Sequence, residues 1–219
     1  MMELPDNEDD RLPHGLLAAI SRHGGTRNFA ANTVLIHEGD VSDSIFIVLS
    51  GRVKAYSAGP QGREIVLEEF GPGHYVGELA LDGDKRSVSI KTLEATTCCV
   101  VQRDGLDAFL LEHPEFAGHL TRKLIRMVRR LTEQVKSLAL QDVYGRVTRV
   151  LMELSDPVDD HPEQRLVRQR LTQQDIADRV GSSREMVHRV MKELAIGEYV
   201  VTDENSKLLV IRKKLPHAW

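Results

Sequence analysis

The chain has 219 residues, 41% hydrophobic and 28% charged, a composition typical of a soluble globular protein with room for two compact domains. No apolar run approaches the length that spans a bilayer, and the acidic start MMELPDNEDDRLP is unlike a secretory signal, so we expect a cytoplasmic location and no membrane partner. The net charge of −4 argues against a protein that coats nucleic acid without sequence preference. Residues 144–219, however, hold 13 lysine and arginine residues against 12 aspartate and glutamate residues, which is compatible with a locally basic surface.

Short β-type runs separated by glycine-containing turns fill the chain from about Val34 to Val101. Examples are VLIHEGD, SIFIVLSGRVKAYS, EIVLEEFGPG and TTCCVVQ. Short strands at regular spacing predict an antiparallel sandwich or barrel. The adjacent Cys98 and Cys99 would point to opposite faces of one strand, so the sequence predicts one core thiol and one surface thiol rather than a disulfide or a metal site.

One segment of this region, GELALDGDKRS from Gly77 to Ser87, has the residue types of an anion pocket. Gly77 lets the backbone approach a ligand, and the residues after it can form a helical turn whose N–H groups face an anion. Arg86 offers a fork of donors suited to phosphate, Ser87 adds a hydroxyl, and Glu78, which only accepts hydrogen bonds, suits a sugar hydroxyl. A structural salt bridge between Glu78 and Arg86 is the alternative interpretation.

Pro114 opens a long helical segment that runs to roughly Val143. Five apolar residues in it recur with spacings of 4, 3, 4 and 3, which is a heptad seam. They are Leu124, Val128, Leu131, Val135 and Leu138. A helix lying on its own domain, the alternative, would need a wider apolar stripe. The narrow seam favours pairing with a twin helix, and we expect a parallel homodimer.

The last third of the chain predicts a DNA-binding module. After the helical stretch RVTRVLMELS, the acidic stretch Asp156–Pro162 predicts a solvated connector. Leu171–Leu194, with the sequence LTQQDIADRVGSSREMVHRVMKEL, predicts two short amphipathic helices joined by a tight turn, the form that places one helix in the major groove. YVVT and KLLVI then predict a terminal hairpin of the kind that flanks such motifs as a wing.

Local signals place the helix ends of this two-helix motif. Thr172 can cap the first helix, with Asp175 near its positive end. Gly181 supplies the left-handed residue of the turn, and Ser182 or Ser183 caps the second helix. Because every local signal agrees, the helix-turn-helix prediction is specific.

The exposed face of the second helix carries side chains suited to base reading. An arginine donates two hydrogen bonds to guanine and a glutamate accepts one from cytosine, so Arg184, Glu185 and Arg189 predict base contacts. Two alternatives are a surface pair between Glu185 and Arg189, and a capping box of Glu185 with Ser182. The combination of three such side chains on the leading face favours base reading, and Lys192 extends the positive charge of that face.

These motifs make the chain resemble the cAMP receptor protein/FNR superfamily of bacterial transcription regulators from about Leu16 to Val210. The resemblance is carried by HEGDVSDSIFIVLSG, by GELAL followed by RS, by DVYGR and by SSREMVHRVMKEL. It implies an α+β fold with an N-terminal antiparallel β-roll of the cyclic-nucleotide-binding type, a long dimerisation helix and a C-terminal winged helix-turn-helix. The implied domains are residues 14–113, 114–143 and 144–219.

The resemblance also implies an effector site. Glu78 would hold the ribose 2′-hydroxyl, and Arg86, Ser87 and the backbone of residues 77–80 would hold the cyclic phosphate. The purine would face the dimer helix near Leu131, with Thr132 of the partner subunit reaching across to it. The implied contacts are Gly77, Glu78, Leu79, Ala80, Arg86, Ser87, Leu131 and Thr132. On this basis cAMP is the expected effector, and Arg86→Leu should abolish nucleotide dependence while leaving the fold intact.

Two differences from the namesake of the family leave other effectors open. The segment between GEL and RS is two residues shorter, and Leu131 stands where a threonine donates to the purine. Leucine cannot form that hydrogen bond, and an unpaired purine edge lowers selectivity. A β-roll tuned to cGMP or cyclic di-GMP, or one that binds no effector, therefore remains an alternative.

For DNA the resemblance implies a near-palindrome with half-sites similar to TGTGA, one for each subunit. Arg184, Glu185 and Arg189 would read the bases, and Thr172, Gln174 and Ser183 would contact phosphates. Lys192 is a further expected DNA-binding residue. RNA polymerase is an expected partner, with Asp156–Pro162 as a candidate contact by family position.

Functions of other classes fit the sequence less well. His37, Glu38, Glu64 and His74 show no spacing that marks a catalytic site, so we expect no enzyme activity. A nucleotide-binding module that regulates a kinase or channel would leave the helix-turn-helix unexplained. No N-terminal cysteine cluster or haem signature is present, and we expect no metal, haem or catalytic cofactor.

Overall fold

The computed structural model describes residues 10–59, 64–159, 161–203 and 208–215, without the side chains of Ala80 and Pro162. It divides into two compact units, one formed by the described residues up to Val128 and the other by those from Arg129 onwards. No described helix is both long enough and apolar enough to cross a membrane.

The first unit is built mainly from β-strands. Its elements are α1 (His14–Ile20), β1 (Gly25–Phe29), β2 (Val34–Ile36), β3 (Ile45–Ser50), β4 (Val53–Ala58), β5 (Glu64–Phe70), β6 (Tyr75–Val76), β7 (Ser89–Thr92), β8 (Thr96–Val101) and α2 (Arg103–Glu112). Helix α3 (Glu115–Leu140) begins in this unit and ends in the second. The strands form two four-stranded sheets, in the orders β1-β8-β3-β6 and β2-β7-β4-β5, with antiparallel pairing throughout. The predicted N-terminal antiparallel β-domain is confirmed.

Two apolar cores lie on opposite faces of the first sheet. On β3, Phe46 and Val48 face the core between the two sheets, whereas Ile45 and Ile47 face a second core formed with α1, α2 and the start of α3. Successive residues of β3 therefore alternate between two apolar environments. This explains why the strand reads IFIVL, with no polar position in its first five residues.

The predicted surface thiol is wrong, because both cysteines are buried. They lie on β8, which is flanked by β1 and β3 and covered on both faces. Cys98 is 0% exposed in the inter-sheet core, and Cys99 is 1% exposed in the core beneath the helices. Burial raises the pKa of Cys98 to about 11 and also raises the pKa of Cys99. Neither thiol is therefore a ready thiolate at neutral pH.

Helix α3 changes its environment along its length. Near its start Phe116 and Lys123 are buried against the β-domain. Four of the five seam positions are instead exposed by 41–64%: Val128, Leu131, Val135 and Leu138. The helix thus lies on its own domain at one end, and along the seam it presents apolar side chains to the surface.

The second unit contains the predicted two-helix motif and its wing. Its further elements are α4 (Val143–Glu153), β9 (Ser155–Val158), β10 (His161–Val167), α5 (Gln173–Val180), α6 (Arg184–Ile196), β11 (Val200–Thr202) and β12 (Leu209–Ile211). Strands β11 and β12 pair antiparallel, with Val200 opposite Ile211, which confirms the terminal hairpin. Residues 204–206 of its predicted turn, and Lys207 of the predicted second strand, lie outside the described residues.

The predicted connector at Asp156–Pro162 is wrong. Most of it forms the hairpin β9–β10, which pairs with β12 and extends the wing into a four-stranded sheet of order β11-β12-β10-β9. The proline at position 157 is compatible with β9 because this is an edge strand, where a missing N–H donor costs little. Arg168 stabilises the hairpin through two hydrogen bonds to the Asp156 carboxylate, of 2.5 and 2.6 Å.

Candidate effector pocket and DNA-binding motif

The segment after β6 has the backbone that a close ligand approach requires. Gly77 has a φ of +93°, and a Cβ there would lie 2.8 Å from Arg86 Nη1 and 3.0 Å from the Ser44 carbonyl oxygen. Both the positive φ and the crowding exclude a larger residue. A single 3₁₀ segment, Glu78–Asp82, follows directly.

Arg86 lies beside this turn and is 4% exposed. Its guanidinium donates to the carbonyl oxygens of Gly77 and Ser44, each at 2.6 Å, and to Ser42 Oγ at 2.8 Å. Burial lowers the pKa of Arg86, while the nearby carboxylates of Asp43, Glu78 and Asp40 act in the opposite direction. Arginine has five N–H donors, so one N–H on Nη1 and one on Nη2 remain for a ligand.

Glu78 is not paired with Arg86. Its Oε1 lies 2.9 Å from the Nζ of Lys123 on α3, and the two side chains are 5% and 0% exposed. The salt bridge between Glu78 and Arg86, the alternative interpretation of the motif, is therefore not formed, and Glu78 pairs with Lys123 instead. Within the part of the chain that the structure describes, Glu78 Oε2 accepts no hydrogen bond and joins no ion pair.

The other predicted effector contacts lie in different settings. Leu79 is 42% exposed, Ser87 is exposed, and the side chain of Ala80 lies outside the described residues. Leu131 and Thr132 are exposed residues of α3 in the second unit, so their roles toward a nucleotide stay predictions. Among the described residues no group of three or more His, Cys, Asp or Glu side chains could hold a metal ion.

Sequence reasoning missed Lys123, Ser42 and Ser44. Lys123 follows Phe116 by seven residues on the buried face of α3, and a lysine at an apolar stripe position is the signal that would have found it. Ser42 and Ser44 lie more than 40 residues from Arg86 in sequence. Nothing local to the sequence indicates that long-range contact.

A second buried network lies next to Lys123. Tyr75 Oη is 3.2 Å from His119 Nδ1, and His119 Nε2 is 3.0 Å from the carbonyl oxygen of Arg11. The carbonyl can only accept, so Nε2 carries the proton and Nδ1 accepts from the tyrosine. Burial lowers the pKa of His119, and the positive charges of Arg122, Arg126 and Lys123 act in the same direction. This histidine is a structural group.

In the second unit, α5 and α6 have the predicted ends. Thr172 and Asp175 form a capping box: Thr172 Oγ1 accepts from the backbone N–H of Asp175, whose carboxylate accepts from the backbone N–H of Thr172. Gly181 has a φ of +61° at the turn. Of the two candidate serines, Ser183 caps α6 by accepting from the backbone N–H of Met186 at 3.2 Å.

The predicted DNA-reading side chains share the exposed face of α6. Arg184, Glu185, Arg189 and Lys192 are all exposed. Neither of the two structural alternatives for Glu185 is found among the described residues. No ion pair joins Glu185 to Arg189, and the cap of α6 is Ser183 rather than Ser182. The backbone N–H at the start of α6 and the Ser183 hydroxyl lower the pKa of Glu185, which favours the charged acceptor form.

The predicted phosphate contacts already have internal partners. Thr172 Oγ1 donates to Asp175 Oδ2 at 2.7 Å, and Gln174 Nε2 donates to Asp178 Oδ1 at 2.6 Å. Ser183 uses its oxygen as the α6 cap acceptor, and its hydroxyl hydrogen bonds to the Glu185 carboxylate.

Arg146 connects the start of α4 to the reading motif. Its Nε donates to the carbonyl oxygen of Val180, the last residue of α5, at 2.9 Å. Its Nη1 donates to the carbonyl oxygen of Gln141, just after α3, at 2.8 Å. Asp142 caps α4 by accepting from the Gly145 N–H at 2.7 Å. One guanidinium thus joins the α3–α4 turn to the helix-turn-helix.

A β-domain with a buried arginine beside a positive-φ glycine, a long helix with an exposed apolar seam and a winged helix-turn-helix have the organisation of a ligand-controlled DNA-binding regulator. Sequence comparison matches residues 26–113 to the cyclic nucleotide-binding domain and residues 145–214 to the Crp-like helix-turn-helix domain. The chain is similar to the CRP-like cAMP-activated global transcriptional regulator of Mycobacterium tuberculosis, with 30% identity over 201 residues, 91% of this chain and 90% of that protein. It belongs to the cAMP receptor protein/FNR family, whose members are transcription regulators rather than enzymes.

Two other similarities agree with this assignment. The cAMP-activated global transcriptional regulator CRP of Haemophilus influenzae is 31% identical over 176 residues, 78% of each chain. Among solved structures, the c-di-GMP-responsive global regulator CLP of Xanthomonas campestris superposes with a TM-score of 0.80 at 26% identity, covering 92% of this chain and all of that one. The chain is therefore a cyclic-nucleotide-binding transcription regulator, with similar proteins that respond to different nucleotides.

Proposed function

We propose that the protein is a cytoplasmic, homodimeric regulator whose DNA binding is controlled by cAMP in the β-domain. The observation that carries the effector assignment is the placement of Glu78 and Arg86 beside Gly77, each with hydrogen-bonding capacity left over. Glu78 Oε2 would accept from the ribose 2′-hydroxyl. The cyclic phosphate would accept from the two remaining N–H groups of Arg86, from Ser87 and from backbone N–H groups of residues 77–80.

The purine would pack against Leu131, and Thr132 of the partner subunit would supply a polar contact. Leu131 provides apolar area for either face of a base but no hydrogen bond. Discrimination between adenine and guanine would then depend on Thr132 and on the nucleotide conformation. These two positions would therefore determine which cyclic nucleotide binds.

Dimerisation would bury the seam of α3. Val128, Leu131, Val135 and Leu138 lie on one face at heptad spacing and are exposed in the single chain. Contiguous exposed apolar side chains on a helix favour pairing, because burial of such area stabilises association. Two parallel copies would carry two recognition helices related by a two-fold axis.

Each recognition helix would read one TGTGA-like half-site. Arg184 stands one residue after the α6 cap, where recognition helices meet base edges. Arg189 and Glu185 would complete the base contacts, with Gln174 and Lys192 on phosphates. The half-sites should lie about one DNA turn, roughly 34 Å, apart.

Ligand control would act through the hinge at residues 142–146, where Arg146 bonds both sides of the turn. A ligand shifts the equilibrium between two dimer states only by its differential affinity for them. RNA polymerase is the further partner that we propose, and the hairpin β9–β10 is the candidate contact surface.

A fluorescence anisotropy titration with a labelled near-palindromic TGTGA duplex tests the effector. The expected result is at least a tenfold gain in DNA affinity with cAMP and little change with cGMP. Cyclic di-GMP is the second candidate, favoured by the similarity to the Xanthomonas regulator and by Leu131. A response to cyclic di-GMP alone would replace cAMP in the proposal, and DNA affinity insensitive to all three would make the β-domain effector-independent.

Arg184→Ala tests base reading separately. The variant should lose about 1–3 kcal/mol of discrimination at one base pair of the half-site. Lys192→Ala is the matched control, because loss of a phosphate contact should weaken binding to all sequences alike and reduce its salt dependence. A uniform loss for Arg184→Ala would assign that side chain to the backbone instead.

A further inference from the structure

Lys123 is a fully buried cation in contact with the carboxylate that the proposed function assigns to the ribose. We propose that Lys123 is a positioning residue that fixes Glu78 for a sugar hydroxyl and thereby sets the selectivity of the pocket for nucleotides with a free 2′-hydroxyl. This inference rests on the proposed nucleotide site.

The surroundings of Lys123 hold its ammonium in one place. Nζ lies 2.9 Å from Glu78 Oε1, donates to the carbonyl oxygen of Tyr75 at 2.5 Å, and lies 3.8 Å from the centroid of the Tyr75 ring. The Phe70 ring centroid is 5.6 Å away. An ammonium has three donors, and here two oxygens and an aromatic face surround it. The lysine therefore points at one oxygen of Glu78 and leaves the other oxygen uncommitted.

Stability alone gives a weak reason for this pair. Taking two charges out of water costs several kcal/mol for each ion, and well-packed apolar residues of similar size often serve a core equally well. A reason for the pair appears at the pocket, because Glu78 Oε2 has no partner among the described residues and a carboxylate can only accept. A ligand hydroxyl is a donor of the kind that this oxygen lacks.

Lys123 also affects what Arg86 can do. The Glu78 carboxylate acts on the pKa of Arg86, so without Lys123 the arginine would remain as a counter-charge for it. A carboxylate that turns to Arg86 would compete with the phosphate for the two free N–H groups. Lys123 thus separates the two tasks: Glu78 is directed to the hydroxyl and Arg86 to the phosphate.

The test measures affinity for cAMP and 2′-deoxy-cAMP by titration calorimetry on the full-length protein. Wild type should prefer cAMP by roughly 10- to 100-fold, the range expected for a hydrogen bond to a charged group. Glu78→Gln and Lys123→Met should each reduce that preference to a few-fold or less. Lys136→Met is the matched control, because Lys136 is a lysine of the same helix whose pair with Glu133 is more than half exposed, and it should keep the wild-type ratio.

The double variant Glu78→Gln/Lys123→Met separates positioning from a direct contact. If Lys123 acts only through Glu78, the double variant should have the same preference as Glu78→Gln. Lys123→Met alone leaves a buried carboxylate unpaired and can impair folding. The comparison of Glu78→Gln with the double variant avoids this problem, because neither protein contains the Glu78 carboxylate. A further fall in preference in the double variant, or an unchanged preference in a folded Lys123→Met protein, would overturn the role of Lys123.

Failure of the proposed function gives a different result. If wild type binds none of cAMP, cGMP and cyclic di-GMP, the nucleotide site itself is refuted, and the role of Lys123 with it. If wild type binds and prefers the ribose form while Lys123→Met does the same, the site stands and only the positioning role is lost.

Discussion

Arg86→Leu should destabilise the β-domain as well as remove phosphate binding. The guanidinium makes three hydrogen bonds, two of them to main-chain carbonyl oxygens, and is 4% exposed. Hydrogen bonds to charged groups contribute about 1.5–3 kcal/mol each, so three of them set an upper bound of roughly 9 kcal/mol. Relief of guanidinium desolvation and the apolar area of leucine offset part of this. We therefore expect a loss of about 2–4 kcal/mol, which differs from the intact fold that the sequence alone predicts.

Thermal and urea unfolding of the ligand-free protein measure this loss. For a domain of about 100 residues, 2–4 kcal/mol corresponds to a fall of roughly 10–20 °C in the midpoint of its transition. Arg86→Lys should fall between wild type and Arg86→Leu, because an ammonium keeps the charge but cannot reach all three acceptors. Arg27→Leu, at an exposed arginine of β1, is the control and should change stability by less than about 0.5 kcal/mol. If Arg86→Leu lowers the free energy of unfolding by less than about 1 kcal/mol, the stabilising role of these three hydrogen bonds is refuted.

Three further variants test other parts of the structure. Thr172→Ala removes one half of the capping box and should cost the DNA-binding unit about 1 kcal/mol in urea unfolding, and an unchanged midpoint would show that the cap contributes nothing. Gly181→Ala should cost about 1 kcal/mol in the same assay, because its φ of +61° is unfavourable for alanine, and a stabilised variant would contradict this. His119→Gln should flatten the pH dependence of stability. Burial, reinforced by the charge of Arg122, lowers the pKa of His119 in the folded state. The unfolded chain therefore binds more protons below about pH 6.5, and the wild type loses stability as the pH falls. Equal slopes for variant and wild type between pH 7.5 and 5.5 would exclude His119 as the source.

The sequence predicted local structure well where one residue decides the conformation. The Thr172 cap and the left-handed Gly181 follow from properties of single residues within one turn of the chain. The hairpin β9–β10 was missed because Asp156 and the proline beside it suit a loop equally well. The pairing with β12, about 50 residues further on, is a long-range contact that no local signal carries.

The pocket shows the same division. The residue types of Gly77–Ser87 were sufficient to predict an anion site with Glu78 and Arg86. Their actual partners, Lys123 for Glu78 and Ser42 for Arg86, come from elements far apart in the sequence. Tertiary packing selected these partners, so the composition of the motif could indicate the chemistry but not the network that orients it.

Strand β8 gives the β-domain a pair of internal probes for local opening. Cys98 becomes accessible to a thiol reagent only when the two sheets separate, whereas Cys99 becomes accessible only when the helices leave the first sheet. In two variants that each keep one of these cysteines, the labelling rates therefore report two separate opening reactions around one strand. Comparison of those rates with and without nucleotide would show which layer of the domain tightens on binding, with the native cysteines as the only labelling sites.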